Sequence, residues 1–474
     1  MPLTIKHKKE SIIYLFFNIL LEEKRIIMTI ESFFTPKNVC LIGASDNKGS
    51  VGNTISNNLN HYKGKVFFVN PRLSGKKLLG KQVFKSVTDI KENIDLAVIA
   101  TPAAITYDVV KEIAKTKCKN ILMITSGFSE IGRTDLTEKI KKLITKEKIN
   151  LIGPNCLGIL NLTNGLDATF NSREKYDLPK PGKVSIITQS GALGLAILDL
   201  ASKEQLDINK FVSYGNALDI DESDLLEYFQ KDKTTDIILC YIEGVKDGEK
   251  FFNILKKVSK TKKVIILKGG VTDKGTNAVK SHTAAIAGSS KVFSTAIKQA
   301  GAFQVFTIRE LFNLSKFYSW YKEDKIKNIQ IITNGGGFGV LTTDQLELEK
   351  INLSQITENT KAEIKNKVPI YATIGNPVDL TGDADNKRFN DIINLCLKDK
   401  NTNAIVVLML LQLPSLSKEI PKEIAEIKNK NKKPVFILTI GGIKTEEQVK
   451  EFEKRKVLCF RDPKDLSDIL RLLK

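Results

Sequence analysis

A chain of 474 residues, 42% hydrophobic and 27% charged, is long enough for two to four domains with real cores and too apolar for extended disorder. Its net charge of +19 comes from 73 Lys and Arg scattered among glutamates, and only 7% of residues are aromatic, so no nucleic-acid partner is expected and the lysines read as solvated surface with a few positions serving phosphates. Six cysteines lie far apart with no Cys-x-x-Cys pair, which argues against a disulfide framework or zinc site and for a reducing, cytoplasmic compartment.

Residues 1–27 form an N-terminal extension. Lys6-His7-Lys8-Lys9 precedes an apolar run from Ile12 to Leu21, too short to span a bilayer and lacking a small-residue cleavage site. Met28 opens a more ordinary start, and no membrane partner is expected.

From 28 to 160 the pattern becomes regular. Val39–Ile42, Lys65–Val69, Leu96–Ala100 and Asn120–Ile124 read as short buried strands separated by helices. That alternation predicts an α/β domain with a parallel, doubly wound sheet, whose ligand lies at the carboxyl ends of the strands. The four turns there begin Gly43-Ala44-Ser45, Asn70-Pro71-Arg72, Thr101-Pro102 and Ser126-Gly127. Each is rich in residues that let a backbone approach a ligand. The first, running on through Lys48 to Gly52, opens a helix and suggests phosphate binding, although it is not a clean Gly-x-Gly-x-x-Gly. A nicotinamide site usually carries an acid after the second strand; Asn70-Pro71-Arg72 stands there instead. Loss of the acid and gain of a cation favour a ligand with an additional phosphate, coenzyme A or NADP. Structural glycine turns would explain any one of the four; together they point to a ligand.

After the strand Asn150–Ile152, Gly153-Pro154-Asn155-Cys156-Leu157-Gly158 closes this domain, and a second α/β segment spans 161–322. Strand Lys183–Thr188 leads into Gln189-Ser190-Gly191-Ala192-Leu193-Gly194, where Ser190 is a natural N-cap and Gly191 lets an anion reach the first-turn amides. Strand Ile237–Ile242 ends in Glu243-Gly244. Strand Lys263–Leu267 leads to Lys280-Ser281-His282-Thr283-Ala284-Ala285-Ile286-Ala287-Gly288-Ser289, which reads as a flexible loop carrying one of only three histidines. A histidine free to swing suits a nucleophile that takes up and hands on a group. Glu243 can accept the other ring N–H and fix the tautomer. The charged connector Trp320–Asn328 leads into a third α/β segment, 323–474. Its strand Ile329–Thr333 meets the turn Asn334-Gly335-Gly336-Gly337-Phe338-Gly339, and later strands cover Ala404–Leu408, Pro434–Leu438 and Val457–Phe460. Asp379, Asp383 and Asp385 lack the spacing of a calcium loop, so a turn or interface is expected there and no metal.

With these motifs in family order, the chain over about 28–474 resembles the alpha subunit of the nucleoside-diphosphate-forming acyl-CoA synthetases. ADP-forming acetate–CoA ligase is the nearest group, and the succinyl-CoA synthetase alpha subunit is more distant. The pieces carrying the resemblance are Ser281–Gly288, Gln189–Gly194, Gly153–Gly158 and Tyr241-Ile242-Glu243-Gly244. The resemblance implies an N-terminal Rossmann-like CoA-binding domain followed by two flavodoxin-like doubly wound domains. It implies that coenzyme A is bound by Gly43, Ala44, Ser45, Lys48, Gly52, Asn70, Pro71, Arg72, Thr101, Pro102, Ser126, Gly127 and Asn155. His282 would carry a phosphoryl group, Glu243 would orient it, and Ser190, Gly191 and Ala192 would hold phosphate. In the implied sequence phosphate attacks an acyl thioester, His282 takes the phosphoryl group from the acyl phosphate and releases a small carboxylic acid, and ADP receives it to form ATP. The chain contains neither an ATP-grasp segment nor a Gly-Lys-Ser/Thr loop. ADP, ATP and Mg2+ are therefore expected on a separate ATP-grasp beta subunit in a heterotetramer. The competing readings are a non-catalytic CoA-sensing protein and a nicotinamide-dependent oxidoreductase.

Overall fold

Runs of consecutive aliphatic residues set the architecture, because a parallel strand covered by helices on both faces has no solvent side to mark with polar residues. Leu96–Ile99, Asn120–Met123, Ala404–Leu408 and Val435–Leu438 are buried along their whole length. The computed structural model describes residues 30–283, 289–323 and 325–474, and the backbone alone at 280–283. Residues 1–27, Ala284–Gly288 and the His282 side chain lie outside the described residues. Two compact units result, one ending at Val305 and one beginning at Phe306.

The first unit holds two sheets. Its amino-terminal sheet is built from β1 (Asn38–Ile42), β2 (Lys65–Val69), β3 (Lys77–Leu78), β4 (Lys81–Phe84), β5 (Leu96–Ile99), β6 (Asn120–Met123) and β7 (Asn150–Ile152) in the order β3-β4-β2-β1-β5-β6-β7. Only the β3–β4 hairpin is antiparallel. The chain reverses direction across the sheet between β1 and β5, and at such a switch point the turns splay apart and open a crevice. The turns beginning at Gly43 and Thr101 stand there.

The second sheet adds β8 (Gly158–Asn161), β9 (Leu166–Thr169), β10 (Pro181–Thr188), β11 (Ile208–Ser213), β12 (Ile237–Ile242), β13 (Lys263–Lys268) and β14 (Phe303–Val305), ordered β14-β13-β12-β10-β11-β8-β9. Its five parallel strands follow the flavodoxin-like order, with the switch point between β10 and β12. The antiparallel ribbon β8–β9 joins at β11. No sequence pattern predicted that ribbon. Its strands bury Asn161, Asp167 and Thr169, and those polar residues interrupt the apolar run that marks the other strands.

The second unit repeats the flavodoxin-like order with β15 (Asn328–Thr333), β16 (Asn352–Leu353), β17 (Val378–Asp379), β18 (Ala404–Leu408), β19 (Val435–Leu438) and β20 (Cys459–Phe460), arranged β16-β15-β18-β19-β20 with β17 beside β15. The helix Ile308–Trp320, read from sequence with the middle segment, packs in this unit. Phe317 stacks on Tyr321 at 5.5 Å and lies 6.1 Å from Phe436. Its fully buried Lys316 meets Glu453 at 3.1 Å, which keeps the lysine charge paired in a dry core.

Among the described residues no helix is long and apolar enough to cross a membrane. The six cysteines are all buried and free.

Candidate active site

The turn after β1 is shaped by two glycines. Gly43 has φ +99°, and a Cβ on it would lie 2.5 Å from the Ala100 carbonyl oxygen. A Cβ on Gly52 would lie 2.0 Å from the Gly43 carbonyl, so only glycine lets the helix Val51–Leu59 start this close to the strand end. Asn70 ties the second turn to the first, its Nδ2 donating to the Ala44 carbonyl at 2.7 Å and its Oδ1 accepting from Arg72 N at 2.8 Å. The Ser45 hydroxyl accepts from Asn47 N at 3.1 Å. Pro71 and Arg72 are exposed beside them.

Beside these turns a cleft of about 520 Å³ opens between the two sheets of the first unit. It gathers Thr101, Pro102, Ser126 and Asn155 from the first sheet with Ser190, Gly191 and Ala192 from the second. Among the described residues no charged side chain lines it. Three helix starts add to its neutral polar lining: Val51, Ala103 and Gly191 open the helices Val51–Leu59, Ala103–Ala114 and Gly191–Lys203, and all three residues line the cleft. None of those helices carries an acid in its first turn. Three positive dipole ends without a carboxylate make a site for an anion that keeps its own charge. Ser190 caps its helix by accepting from Leu193 N at 3.3 Å, and Gly191 leaves the first-turn amides open.

Asn155 is held by a polar relay. Its Nδ2 donates to Asn216 Oδ1 at 3.2 Å, and Asn216 donates to Glu130 Oε2 at 2.6 Å. Glu130 Oε1 accepts from Gly127 N at 2.6 Å. Burial raises the Glu130 pKa, but these hydrogen bonds outweigh it and hold the carboxyl below its usual value. The thiol in the cleft, Cys156, is pushed up to about 12 by burial and donates to the Met123 carbonyl at 3.3 Å, so it lines the site without supplying a nucleophile. Lys48 lines an adjoining cavity of about 1230 Å³, which shares Phe170 and Ala192 with the cleft.

Glu243 follows β12 and is 4% exposed. Tyr241 donates to its Oε1 at 3.2 Å, and Lys268 Nζ donates to its carbonyl at 2.6 Å. Burial pulls the Lys268 pKa down, against the Glu243 carboxylate, which raises it. Gln189 Oε1 accepts from Glu243 N at 2.8 Å and Gly244 N at 3.1 Å, joining this turn to the Ser190 helix start across the switch point. Gln189, Asn216 and Lys268 were not singled out from sequence; their roles come from partners far away in the chain, backbone groups for Gln189 and Lys268 and the side chains of Asn155 and Glu130 for Asn216. One expectation is corrected by the backbone. His282 does not stand on a loop but in the last turn of the helix Asp273–Thr283, which continues from the turn after β13.

The loop after β11 carries a titratable cluster. Lys246 donates to the Asn216 carbonyl at 3.0 Å and also to that of Ala217, while Lys250 bridges Asp221 at 3.1 Å and Asp224 at 2.7 Å. Burial first, and then the Asp221 charge, raise Glu222 from 4.5 to about 7. The folded chain therefore binds this proton more tightly than the unfolded chain. The resulting stability is fully present below the unfolded value and is lost as pH rises through about 7. Urea unfolding of the first unit is expected to weaken by about 1.4 kcal/mol per pH unit across that window, and Glu222→Gln to flatten the dependence.

In the second unit the Gly335–Gly337 turn meets Asp379, whose Oδ2 lies 2.9 Å from where a Gly336 Cβ would stand. Asp383 pairs with Arg388 at 3.1 Å, and Asp385 caps the helix Asn386–Lys398 by accepting from Arg388 N at 2.8 Å. The described residues contain no cluster of three or more His, Cys, Asp or Glu able to hold a metal.

Family models agree with this layout. A CoA binding domain matches residues 37–161, a succinyl-CoA ligase like flavodoxin domain 181–318, and a ligase-CoA domain 329–464. The chain is 36% identical to the alpha subunit of acetate–CoA ligase (ADP-forming) I of Pyrococcus furiosus, over 92% of this chain and 95% of that one. It is 39% identical to acetate–CoA ligase (ADP-forming) of Methanocaldococcus jannaschii over 91% of this chain, yet it spans only 61% of that longer protein. Among solved structures it superposes with a TM-score of 0.87 and 33% identity on a dinucleotide forming acetyl-coenzyme A synthetase of Ca. Korarchaeum cryptofilum in complex with phosphate and ADP, covering 94% of this chain and 96% of that one. By sequence and by fold, then, the chain belongs to the family of ADP-forming acetate–CoA ligase alpha subunits.

Proposed function

We propose that this chain is the CoA-binding, phosphohistidine-carrying subunit of an ADP-forming acyl-CoA synthetase, acting as acyl-CoA + phosphate + ADP ⇌ acid + CoA + ATP. The observation that carries the reading is the cleft into which three acid-free helix starts open and which, among the described residues, no charged side chain lines. A fixed cation there would pair with phosphate and blunt it as a nucleophile. Helix ends attract the anion and leave its attack on the thioester less hindered.

In this reading the turns at Gly43, Asn70 and Thr101, with Lys48 beside them, hold CoA so that the thioester enters the cleft. The amides of Gly191 and Ala192 hold phosphate. Acyl phosphate then forms, His282 takes its phosphoryl group, and Glu243 orients the imidazole through its second nitrogen. The ATP-grasp machinery comes from a beta subunit, in keeping with relatives named as alpha subunits and with the longer Methanocaldococcus relative. The assembly is a heterotetramer with ADP and Mg2+ on the beta subunit. Six buried thiols suit a cytoplasmic location.

The test is thermal unfolding with CoA and with NAD, followed by release of free thiol from acetyl-CoA when phosphate and the partner are added. CoA at 100 times its Kd is expected to stabilise the chain by about 2.7 kcal/mol, with thiol release requiring phosphate. Stabilisation by NAD alone contradicts the reading. CoA binding without phosphate-dependent release points to a sensor.

A further inference from the structure

The switch point of the second sheet holds a side chain whose orientation is fixed by its neighbours. Gln189 leaves β10 with its backbone N–H on the Tyr241 carbonyl at 3.0 Å, and the next residue caps the Gly191–Lys203 helix. Its Oε1 faces two backbone donors, Glu243 N at 2.8 Å and Gly244 N at 3.1 Å. Only the oxygen end of the amide can satisfy two N–H groups, so the assignment of the planar group is not free to flip. Nε2 and its two hydrogens must be directed away from the Glu243 turn. Among the described residues no hydrogen bond takes them, and Gln189 lines the cleft beside Ser190, Gly191 and Asn155.

The cleft therefore holds a neutral N–H donor pair whose carbonyl end is clamped by backbone. Being clamped, the group needs little reorganisation when charge develops nearby. Being neutral, it sets no fixed charge beside the phosphate. Those are the properties of a donor to an oxyanion.

We propose that Gln189 Nε2 donates to the acyl carbonyl oxygen of the thioester and holds the negative charge that oxygen gains during attack by phosphate. This assignment rests on the acyl-CoA reading above. In the step, an oxygen of hydrogen phosphate bonds to the carbonyl carbon and the carbonyl π pair moves to oxygen, against the Gln189 amide. The pair then returns, the C–S bond breaks, and CoA leaves as thiolate, taking up the proton that hydrogen phosphate brought. Acyl phosphate and CoA thiol are the products, with no change of oxidation state. The same amide holds the backbone of Glu243, so a single side chain serves the thioester step directly and the later phosphoryl step through position.

Two substitutions separate those roles in the complete assembly with its partner subunit. Gln189→Glu keeps an acceptor for both N–H groups and loses the donor; Gln189→Met loses both without adding charge. Phosphate-dependent thiol release from acetyl-CoA is measured beside phosphorylation of the chain by ATP. Both variants are expected to lower kcat for thiol release by about 10²-fold to 10³-fold, Gln189→Met at unchanged phosphate KM. In Gln189→Glu, thiol release is expected to fall far more than phosphorylation by ATP. Wild-type kcat in Gln189→Glu, or a loss confined to phosphate KM as charge repulsion would give, overturns the assignment. A wild-type assembly that releases no thiol with phosphate overturns the acyl-CoA reading itself, and this assignment with it.

Discussion

His282→Ala is expected to stop ATP formation from acetyl-CoA, phosphate and ADP, lowering its rate on the order of 10⁴-fold or more, while CoA release to acyl phosphate continues. The split follows from where the two steps are placed. Thioester cleavage is proposed for the cleft lined by Thr101, Asn155 and the Gly191 helix start. His282 belongs to the last turn of the helix Asp273–Thr283, which follows β13, and β13 pairs in register with the Glu243 strand, Ile242 opposite Lys268. In the proposed sequence, removing the imidazole takes away the carrier between acyl phosphate and ADP and leaves the Gly191 helix start in place. Initial rates of thiol release and of ATP formation, measured on one preparation, check both halves. Loss of thiol release in parallel with ATP formation would place His282 in the first step.

Glu243→Gln is expected to lower phosphorylation of the chain by about 10²-fold to 10⁴-fold with CoA binding intact. The substitution keeps size, the backbone N–H bonded to Gln189, and an oxygen for the Tyr241 hydroxyl at 3.2 Å. What it removes is the negative charge proposed to stabilise an imidazolium and select the tautomer. Glu243 is 4% exposed, so little water replaces that charge. Phosphorylation by ATP through the partner subunit is the readout. A variant phosphorylated at the wild-type rate would reduce Glu243 to a turn residue. Against that stands the care with which the fold holds it: Gly269 has no room for a Cβ, because the Tyr241 hydroxyl would lie 2.6 Å away.

The parallel strands were legible in the sequence because burial on both faces leaves continuous aliphatic runs such as Ile237–Ile242. The β8–β9 ribbon was not, since its stability comes from long-range pairing of buried polar groups. Asn161 Nδ2 donates to the Phe34 carbonyl at 3.0 Å, and Asn58 Nδ2 donates to the Thr169 carbonyl at 2.9 Å. The helix through His282 was hidden because the small residues of Lys280–Ser289 read as a loop. Thr272 starts it by accepting from Gly275 N at 3.1 Å, a local bond that composition does not reveal. The helix Ile308–Trp320 fell inside the 161–322 segment, and nothing in the sequence said that Phe317 would pack against Phe436.

The candidate site divides the same way. Ser190, Gly191 and Thr101 announced themselves as strand-end turns, and the structure brings them to one cleft. Gln189 did not, because its function is written in two N–H groups that lie 54 and 55 residues later.

The measurement that tests the central claim most directly is phosphate labelling of this chain in the presence of its partner subunit and acetyl-CoA. The account predicts an acid-labile, base-stable label on the chain that is absent from His282→Ala. An unlabelled chain that still binds CoA, with the partner present and several thioesters tried, would contradict it.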